Sequence, residues 1–521
     1  MSKALFKSTS IFSSMTFLSR IFGFLRDMVT ANIFGAGFAF DAFSAAFRIP
    51  NFMRRLFAEG SFSQAFVPVL AEYQKNKSHE EIKNFVSAVA GTLGIVLLAV
   101  TIAGIICAPA IIHLFTPGFE KGGPRFELAV TMLRITFPFL FFVSLTAFSG
   151  AILNTYNRFW VMAFTPIFLN IIMIATAIWL APEMHTPIIA LAWGVFIAGI
   201  VQFLFQFPFL KNLHLLPIPK INFKDKGVRK VLKLMVPALF GVSVSQINLL
   251  VDTVFASLLV VGSMSWLYYS DRLMEFPLGV FGVAISTVIL PNLSRHHASQ
   301  SHHDFSHTLD WGIRCVLLVG VPAAVVLAVM SGPLLSTLFQ YGRFDGHAVM
   351  MARLSLTAFS LGLAPFMLIK ILASGFYAKQ DMKTPVKIGV FAMVSNMIFN
   401  VILIWPLAHA GIALATSLSA LLNMGFLYFY LRKKNMYVPR EGWNYFLLRI
   451  FIVNVLLAAW LWFGAGDLSV WIHQTAMWRA LHLAGLLSSA VIIYFAALWM
   501  VGLKLRDVLI PVSIAVKEGE G

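Results

Sequence analysis

Charged residues are scarce in this sequence: Asp, Glu, Lys and Arg make up 12% of its 521 residues, whereas an average soluble chain contains about 25%. Hydrophobic residues make up 59%, and the mean hydropathy is +0.83. This scarcity excludes a soluble globular protein, which could not hide so much apolar surface, and also disordered, collagen-like and coiled-coil chains. Strand-type alternation is missing too, which argues against a β-barrel. The composition therefore predicts an all-α polytopic membrane protein.

Cysteines and nucleotide-binding signatures are equally scarce. The two cysteines, Cys107 and Cys315, have neither metal-ligand spacing nor a disulfide framework. The sequence contains no GxxxxGK[ST] phosphate loop, and no segment between apolar runs is long enough for a separate domain. An enzyme with a soluble catalytic module, or a pump with its own nucleotide-binding domain, is therefore unsupported. We expect a protein that is not an enzyme.

Apolar runs bounded by Gly, Pro or charge clusters are abundant instead. At about 20 residues per span, they predict fourteen transmembrane helices. Lys3 and Lys7 precede the first of these, which is retained because no small-residue cleavage site follows it. The segments cover residues 10–33, 38–57, 83–116, 127–154, 159–182, 187–210, 231–260, 263–293, 308–340, 347–376, 384–406, 410–432, 443–465 and 476–503.

Positive charge alternates along the connections between these segments. The 39 Lys and Arg residues outnumber the 22 Asp and Glu residues, which gives a net charge of +17. The connection 211–230 contains six Lys and Arg residues, whereas 34–37 and 407–409 contain none. This alternation follows the positive-inside rule, so the charge excess does not require a nucleic-acid partner. It predicts that the Lys/Arg-rich connections and both termini lie in the cytoplasm.

The sequence repeats itself at an offset of about 223 residues. APAIIHLFTPG at 108–118 resembles GPLLSTLFQYG at 332–342, and IIALAW at 188–193 resembles GIALAT at 411–416. The offset spans six helices, an even number, so both copies should insert with the same orientation. Parallel repeats of this kind occur in secondary transporters, with substrate sites near the repeat interface.

The repeat predicts three parts of the chain. Residues 1–222 form an N-lobe of six helices, residues 223–440 form a C-lobe of six helices, and residues 441–521 add two helices. A duplication with a purely structural role is the alternative, but two facing six-helix bundles favour alternating access.

Charged side chains lie inside the first two predicted helices. A charge at the bilayer centre costs about 2.5–3.5 kcal/mol on insertion scales, so several together imply a wet interior or mutual pairing. Guanidinium groups bind phosphates bidentately, and an arginine-lined cavity therefore predicts a phosphate or pyrophosphate substrate. A cationic-drug exporter would show acidic residues instead. The charged residues are Arg20, Arg26, Asp27, Asp41, Arg48, Arg54 and Arg55.

Arg20 and Arg26 point in different directions on an ideal helix. They are six residues apart, which is about 120° around the helix axis. A cavity that faces both arginines therefore needs a wide opening or local unwinding, for which Gly23 and Pro50 are the candidates.

Other arginines have a simpler explanation. A single arginine often anchors a helix end at the lipid headgroups, and this alternative applies to Arg54, Arg55 and Arg272. Arg272 also lies three residues before Glu275, at a spacing that allows an ion pair on a helix.

A second polar set consists of oxygen-bearing side chains. Asp252 is embedded in the seventh helix, Asn396 and Asn400 lie one turn apart in the eleventh, and Thr416 lies in the twelfth. Hard oxygen ligands of this kind suit a small alkali cation. Alternatively, the asparagines only join helices by hydrogen bonds.

Two long stretches resemble a known family. SSMTFLSRIFGFLRDMVTANIFGAG and DAFSAAFRIPNFMRRLFAEGSFSQAFVPVLAEY in the first copy, with SWLYYSDRLMEFPLGVFG and QDMKTPVKI in the second, closely resemble the MurJ (MviN) family of lipid II flippases. That family belongs to the multidrug/oligosaccharidyl-lipid/polysaccharide (MOP) exporter superfamily. The resemblance covers essentially the whole chain, including the two C-terminal helices.

The resemblance implies a fourteen-helix protein of the bacterial inner membrane that acts in peptidoglycan biosynthesis. It would move undecaprenyl-pyrophosphate-linked disaccharide-pentapeptide from the cytoplasmic to the periplasmic leaflet, and the last two helices would form a groove for the polyprenyl tail. The implied partners are lipid II, membrane lipids and cell-wall synthesis proteins, for a monomeric protein without a nucleic-acid partner.

The resemblance also implies roles for individual residues. No cofactor is implied, other than sodium as a coupling ion. The substrate-binding residues would be Arg20, Arg26, Arg54 and Arg272; the gating or pairing residues Asp41, Arg48, Asn51 and Glu275, with Arg48 at a position where the family also has lysine; and the sodium ligands Asp252, Asn396, Asn400 and Thr416.

These expectations define a mechanism and its rivals. In alternating access, arginines capture the pyrophosphate on the cytoplasmic side, the lobes rock, and the headgroup leaves on the periplasmic side. One rival is a flippase for another polyprenyl-pyrophosphate-linked glycan of the O-antigen type. The other is a non-transporting scaffold of cell-wall synthesis, which should not need its arginines.

Overall fold

The computed structural model describes residues 3–56 and 62–503. These residues form α-helices with short π-helical and 3-10 turns, and none of them lies in a strand, which confirms the predicted all-α class. Each of the fourteen predicted segments falls on helix. Ten helices among the described residues are long and apolar enough to cross a membrane, so the count of fourteen spans stays a prediction, as does the side on which the termini lie.

The chain divides into two compact units, Met1–Ser265 and Trp266–Gly521. The seventh predicted segment packs with the first unit, although the sequence repeat assigns it to the second copy. The repeat boundary after residue 222 therefore does not coincide with the boundary of the compact units, and it remains a prediction about the duplication.

The first unit contains twelve helices among its described residues. Several of the predicted segments are divided between two of these helices. Proline causes the breaks: the predicted segment 127–154 is split at Pro138, and a second helix begins at Pro166 after a short first piece, because proline lacks the N–H that a helix interior needs. The helices are α1 Lys3–Phe34, α2 Phe38–Arg54, α3 Ser63–Asn76, α4 His79–Ile106, α5 Ala108–Phe115, α6 Pro124–Thr136, α7 Phe139–Thr155, α8 Phe159–Phe164, α9 Pro166–Ala175, α10 Ile189–Phe205, α11 Phe207–Asn212 and α12 Lys226–Ser257, with a π-helical turn at Thr176–Leu180 and a 3-10 turn at Ala181–Glu183.

Helix α3 is an amphipathic helix that the hydropathy pattern did not predict. Its apolar face packs on α4 through stacked rings: Phe66 lies 5.8 Å from Phe85, and Tyr73 lies 4.3 Å from Phe85. The following helix starts at once, because Ser78 and Glu81 cap each other's backbone N–H groups. The packing and the cap fix the start of α4.

The boundary between the two units lies inside one helix, Ser263–Pro277, because the first unit ends at Ser265 and the second begins at Trp266. Its helices are α13 Ser263–Pro277, α14 Val283–Ala298, α15 His302–Val329, α16 Ser331–Phe339, α17 Gly346–Ala378, α18 Lys383–Lys433, α19 Trp443–Ala465, α20 Leu468–His473 and α21 Ala476–Met500, with a π-helical turn at Leu278–Gly282.

Helix α18 contains two predicted spans joined by a kink. Ala408 has a φ of 48° and a ψ of −128°, which ends one helical path and starts the next inside the predicted connection 407–409. The chain returns so closely that a Cβ atom at Gly411 would lie 2.2 Å from the carbonyl oxygen of Leu403. Only glycine fits there, and the two spans 384–406 and 410–432 are separate helices in practice.

Polar contacts at both ends attach the C-terminal helices to the rest of the second unit. At one end, the indole Nε1 of Trp443, the first residue of α19, donates to Asp310 in α15 at 2.7 Å. At the other end, Arg479 in α21 donates to the carbonyl oxygen of Ser336 at 2.9 Å and to the side chain of Gln340 at 2.9 Å. The tail groove that these helices were expected to form stays a prediction.

Candidate functional site

Arg26 is the centre of a buried polar network in the first unit. It lies in α1 and is 8% exposed. Its Nε and Nη2 donate to Oδ1 of Asp27 at 3.0 and 2.7 Å, and its Nη1 donates to Oδ1 of Asn170 in α9 at 3.1 Å. Asn170 also donates to the carbonyl oxygen of Ser19 at 3.1 Å, which ties α9 to α1. The guanidinium is therefore held by one carboxylate and one amide.

Helix α1 runs through this region without a break. It is continuous from Lys3 to Phe34, so the chain does not unwind at Gly23, and α2 is likewise continuous through Pro50. A cavity that faces both arginines of α1 would need either a wide opening or local unwinding of a helix. Local unwinding is absent at Gly23 and at Pro50. Arg20 is half-buried where Arg26 is buried, as the angle between them on a regular helix requires.

Asp41 at the start of α2 binds the beginning of α13. The carboxylate is fully buried. Its Oδ2 accepts the backbone N–H of Gly262 at 2.7 Å, and its Oδ1 accepts the backbone N–H of Ser265 at 2.9 Å and the Ser265 hydroxyl at 2.5 Å. Arg125 lies 3.8 Å away. Asp41 therefore caps a helix N-terminus, where backbone donors are otherwise unsatisfied.

The next turns of α2 place two more arginines against polar partners. Arg48 donates from Nη1 to the hydroxyl of Thr253 in α12 at 2.7 Å, next to Asp252 in the sequence. Arg54 donates from Nε and Nη2 to Oδ1 of Asn51 at 3.1 and 2.8 Å. Asn51 therefore orients Arg54, one of the predicted phosphate ligands.

The fourth predicted substrate arginine lies in the second unit. Arg272 in α13 donates to Glu275 at 2.6 Å, and its guanidinium lies 4.8 Å from the ring centre of Tyr268. The i,i+3 ion pair expected from the sequence is present. Its gating role stays a prediction.

The predicted sodium ligands of the second unit form a hydrogen-bonded chain. Asn400 donates to Oδ1 of Asn396 at 3.2 Å, and Asn396 donates to the hydroxyl of Thr416 at 3.5 Å. The Asn396 side-chain oxygen and the Thr416 hydroxyl each accept from an amide, and both the sodium site and the helix-joining role stay predictions. Asp252 belongs to the first unit. No group of three His, Cys, Asp or Glu side chains suited to a metal occurs among residues 3–56 and 62–503.

Sequence reasoning missed the partners of the predicted residues. Asn170 and Arg125 belong to none of the residue sets predicted from the sequence. Thr253 and Ser265 gave no signal. An amide inside an apolar run was the one available indication for Asn170, because a polar group in a membrane helix needs a partner.

The fold resembles that of a solved membrane transporter. A solved structure described as the inward-facing conformation of a multidrug resistance MATE family transporter of the MOP superfamily matches this chain with a TM-score of 0.65 at 14% identity, over 82% of this chain and 98% of that chain. At this identity the likeness shows the fold alone.

Sequence comparison is more specific. The family model "Lipid II flippase MurJ" matches residues 30–481. A "Probable lipid II flippase MurJ" of Haemophilus influenzae is 50% identical over 508 residues, which are 95% of this chain and 99% of the relative. A "Lipid II flippase MurJ" of Burkholderia cenocepacia is 41% identical, over 96% of this chain and 98% of the relative. A solved structure, "Lipid II flippase MurJ, inward closed conformation", matches with a TM-score of 0.78 and 28% identity, over 93% of this chain and 97% of that chain. The chain belongs to the MurJ family of lipid II flippases.

Proposed function

We propose that this protein is a lipid II flippase of the bacterial inner membrane. It moves the undecaprenyl-pyrophosphate-linked peptidoglycan precursor from the cytoplasmic to the periplasmic leaflet by alternating access, and it makes and breaks no covalent bond. Family membership supports the substrate. The buried guanidinium of Arg26 carries the chemistry.

The surroundings of Arg26 suit the exchange of one anion for another. A buried guanidinium that loses its counter-ion is strongly destabilising, so Arg26 must always face an acceptor. Asp27 supplies one through its single oxygen Oδ1, and the pyrophosphate of lipid II supplies another, with oxygens that can accept both N–H bonds of the guanidinium fork. Substrate binding then replaces Asp27 by phosphate, and product release returns Arg26 to Asp27.

Asn170 keeps the guanidinium in place during this exchange. Its bond to Nη1 does not involve Asp27, so it can persist while the anion on Nε and Nη2 changes. Arg20 and Arg54 are the other phosphate ligands that we propose in the first unit, and family membership supports Arg272 as a further one. Asp41 and Arg48 hold polar contacts between different helices, which a movement of these helices against each other would break, whereas Glu275 pairs with Arg272 in its own helix.

The proposal is tested by the exposure of lipid II at the periplasmic face of cells depleted of this protein. The cells are complemented with wild type, Arg26→Ala, Arg26→Lys or Arg158→Ala. Arg158 is exposed in the connection between α7 and α8 and serves as the matched arginine control. Membrane abundance is measured for every variant.

Wild type and Arg158→Ala should restore lipid II exposure, whereas Arg26→Ala should not. Arg26→Lys should restore it only weakly, because an ammonium lacks the bidentate fork. Full restoration by Arg26→Ala would refute the arginine mechanism and favour a scaffold. Restoration of a different polyprenyl-linked glycan but not of lipid II would refute the substrate.

A further inference from the structure

An apolar groove runs between α4 and α12 in the first unit. Two adjoining cavities share Phe62, Leu93, Val96 and Met235 in their walls, and together they extend along α4 from Val89 to Val100. This is about 16 Å of helix. The lining is apolar apart from the hydroxyls of Thr92 and Ser144, so the groove suits a hydrocarbon chain.

A strap of chain, residues 215–225, crosses one end of this groove. The backbone N–H of Lys220 donates to the carbonyl oxygen of Ser87 at 3.0 Å, and that of Asn222 donates to the hydroxyl of Thr92 at 3.4 Å. The approach is so close that a Cβ atom at Gly91 would lie 2.4 Å from the carbonyl oxygen of Lys220. The strap is therefore fixed on α4 where the groove begins.

The strap has the composition of a segment that lies in a membrane interface. Ile218, Ile221 and Phe223 are exposed large hydrophobic residues, and exposed Lys220 and Lys224 alternate with them. Apolar side chains that enter the headgroup region beside lysines are typical of interfacial segments attracted to anionic lipid.

Helix α12 adds two cations at the same end. Arg229 and Lys233 are both exposed and lie one turn apart, next to Val228 and Leu232, which line the groove. The Nε of Arg229 donates to the carbonyl oxygen of Phe223 at 3.1 Å, which ties α12 to the strap.

The acidic residues close by are already engaged. Asp225 caps α12 by accepting the backbone N–H of Val228 at 3.0 Å, and Glu72 pairs with Lys230. Residues 220–233 contain six Lys and Arg residues and one acidic residue, Asp225, so the groove end stays positively charged even with Asp225 ionised and Lys230 paired with Glu72.

We propose that this groove binds one anionic glycerophospholipid, with an acyl chain along Leu93 and Val96 and the phosphate against Lys220, Arg229 and Lys233. Charge complementarity selects the anionic lipid over a zwitterionic one. The bound lipid would hold the strap against α4 and bridge it to α12. This site is separate from the arginines of α1 and α2 that serve the flippase proposal, and it stands whatever the transported lipid is.

Photolabelling tests the proposal. The full-length protein is reconstituted in phosphatidylcholine vesicles that contain a trace of phosphatidylglycerol with a diazirine in its acyl chain, and labelled peptides are mapped by mass spectrometry. Val96→Trp fills the groove. Leu98→Trp is the matched control, since Leu98 is an exposed apolar residue of α4 that does not line the groove. Arg229→Glu with Lys233→Glu removes the charge, and Lys211→Glu is its control.

The label should fall on α4 between Leu93 and Val100. In Val96→Trp and in the double charge variant, labelling should drop about tenfold. In both control variants it should stay unchanged. Equal labelling by a phosphatidylcholine probe, with no effect of the charge variant, would overturn the proposal. So would displacement of the probe by undecaprenyl phosphate but not by unlabelled phosphatidylglycerol, because the groove would then hold the substrate tail.

Discussion

Two buried networks, one in each unit, use an arginine and a carboxylate in opposite ways. In the first unit, Arg26 is the centre, and its donors reach the adjacent Asp27 and the distant Asn170. In the second unit the carboxylate of Asp310 is the centre. It is fully buried and accepts four hydrogen bonds, from the side chains of Arg314, Tyr437 and Trp443 at 2.8, 2.8 and 2.7 Å and from the backbone N–H of Arg440 at 3.3 Å.

The difference lies in how many partners must be replaced for the network to change. Three donors of Asp310 come from the connection between α18 and α19 and from the first turn of α19, and no single ligand could substitute for all of them. In the Arg26 network, Nε and Nη2 both donate to one oxygen of Asp27, and one phosphate can take the place of that oxygen. The Asp310 network is therefore suited to anchoring α19, and the Arg26 network to exchanging an anion.

Asp310→Ala should cause the largest loss of stability. Removing the carboxylate leaves four donors without their acceptor, and breaking a buried ion pair from one side costs about 3–5 kcal/mol. The midpoint of thermal unfolding in detergent measures this loss. Glu441→Ala, at an exposed carboxylate of the same connection, should change it little. Equal midpoints for both variants would show that Asp310 does not anchor α19.

Asn170→Ala should reduce transport as well as stability. Arg26 would lose one charged hydrogen bond of about 1.5–3 kcal/mol, and lipid II exposure per molecule in the membrane should fall about tenfold. Asn154→Ala, at an asparagine of α7 that contacts Met162, is the matched control. Asn170→Asp keeps an acceptor for Nη1 and should recover part of the activity, whereas a purely structural role would predict no such recovery.

Tyr437→Phe should weaken the Asp310 network without dismantling it. Burial and the nearby Asp310 raise the pKa of Tyr437 above its ordinary value, so its hydroxyl remains a donor at physiological pH. Loss of this one bond should cost about 1 kcal/mol, because three other donors remain. A loss as large as that of Asp310→Ala in the same unfolding assay would mean that the tyrosine alone holds the connection.

The smallest effect concerns an ion pair near the surface, between Asp381 and Lys434. Burial by itself would raise the pKa of Asp381, but hydrogen bonds from Lys434 and Thr384 outweigh it and lower the pKa to about 2. The folded value lies below the unfolded one of about 3.9, so the pair stabilises the fold above about pH 4 and loses its contribution as the pH falls toward 2. The pair is partly exposed, and the gain should stay below about 1 kcal/mol.

Asp381→Asn measures this contribution. The difference in unfolding midpoint between wild type and variant should be small at pH 7 and should shrink as the pH falls from 4. A difference that grows on acidification would contradict the sign of the shift. Unlike Asp310, Asp381 can lose its partner to water, which is why the expected effect is so much smaller.

The helices were predictable where one helix is one apolar run. The segments 347–376 and 443–465 match α17 and α19 closely, because in a membrane every backbone group must be satisfied within the helix. Helix α3 was not predicted, since a short amphipathic helix has no continuous apolar run. The segment 127–154 was predicted as one helix, although Pro138 divides it into α6 and α7. Its apolar run continues across the proline, so the hydropathy pattern does not show the break.

The candidate site was predictable only in part. The cost of a charge inside an apolar helix singled out Arg26, and the i,i+3 spacing indicated the pair of Arg272 and Glu275. The contact of Arg26 with Asn170 joins residues 144 positions apart, and that of Asp41 with Ser265 joins residues 224 positions apart. No local pattern encodes such distances.

The sequence by itself determined the class of protein, the approximate spans, the duplication and the family, because hydropathy and motif are local properties of the chain. Only the tertiary structure decided which partner each buried charge has. Asp27 and Asp310 are both carboxylates in apolar helices, and nothing in their neighbouring residues distinguishes the one that binds the adjacent arginine in its own helix from the one that gathers donors from another part of the chain. That distinction arises from helix packing, because the packing decides which polar groups lie within hydrogen-bond distance of each buried carboxylate.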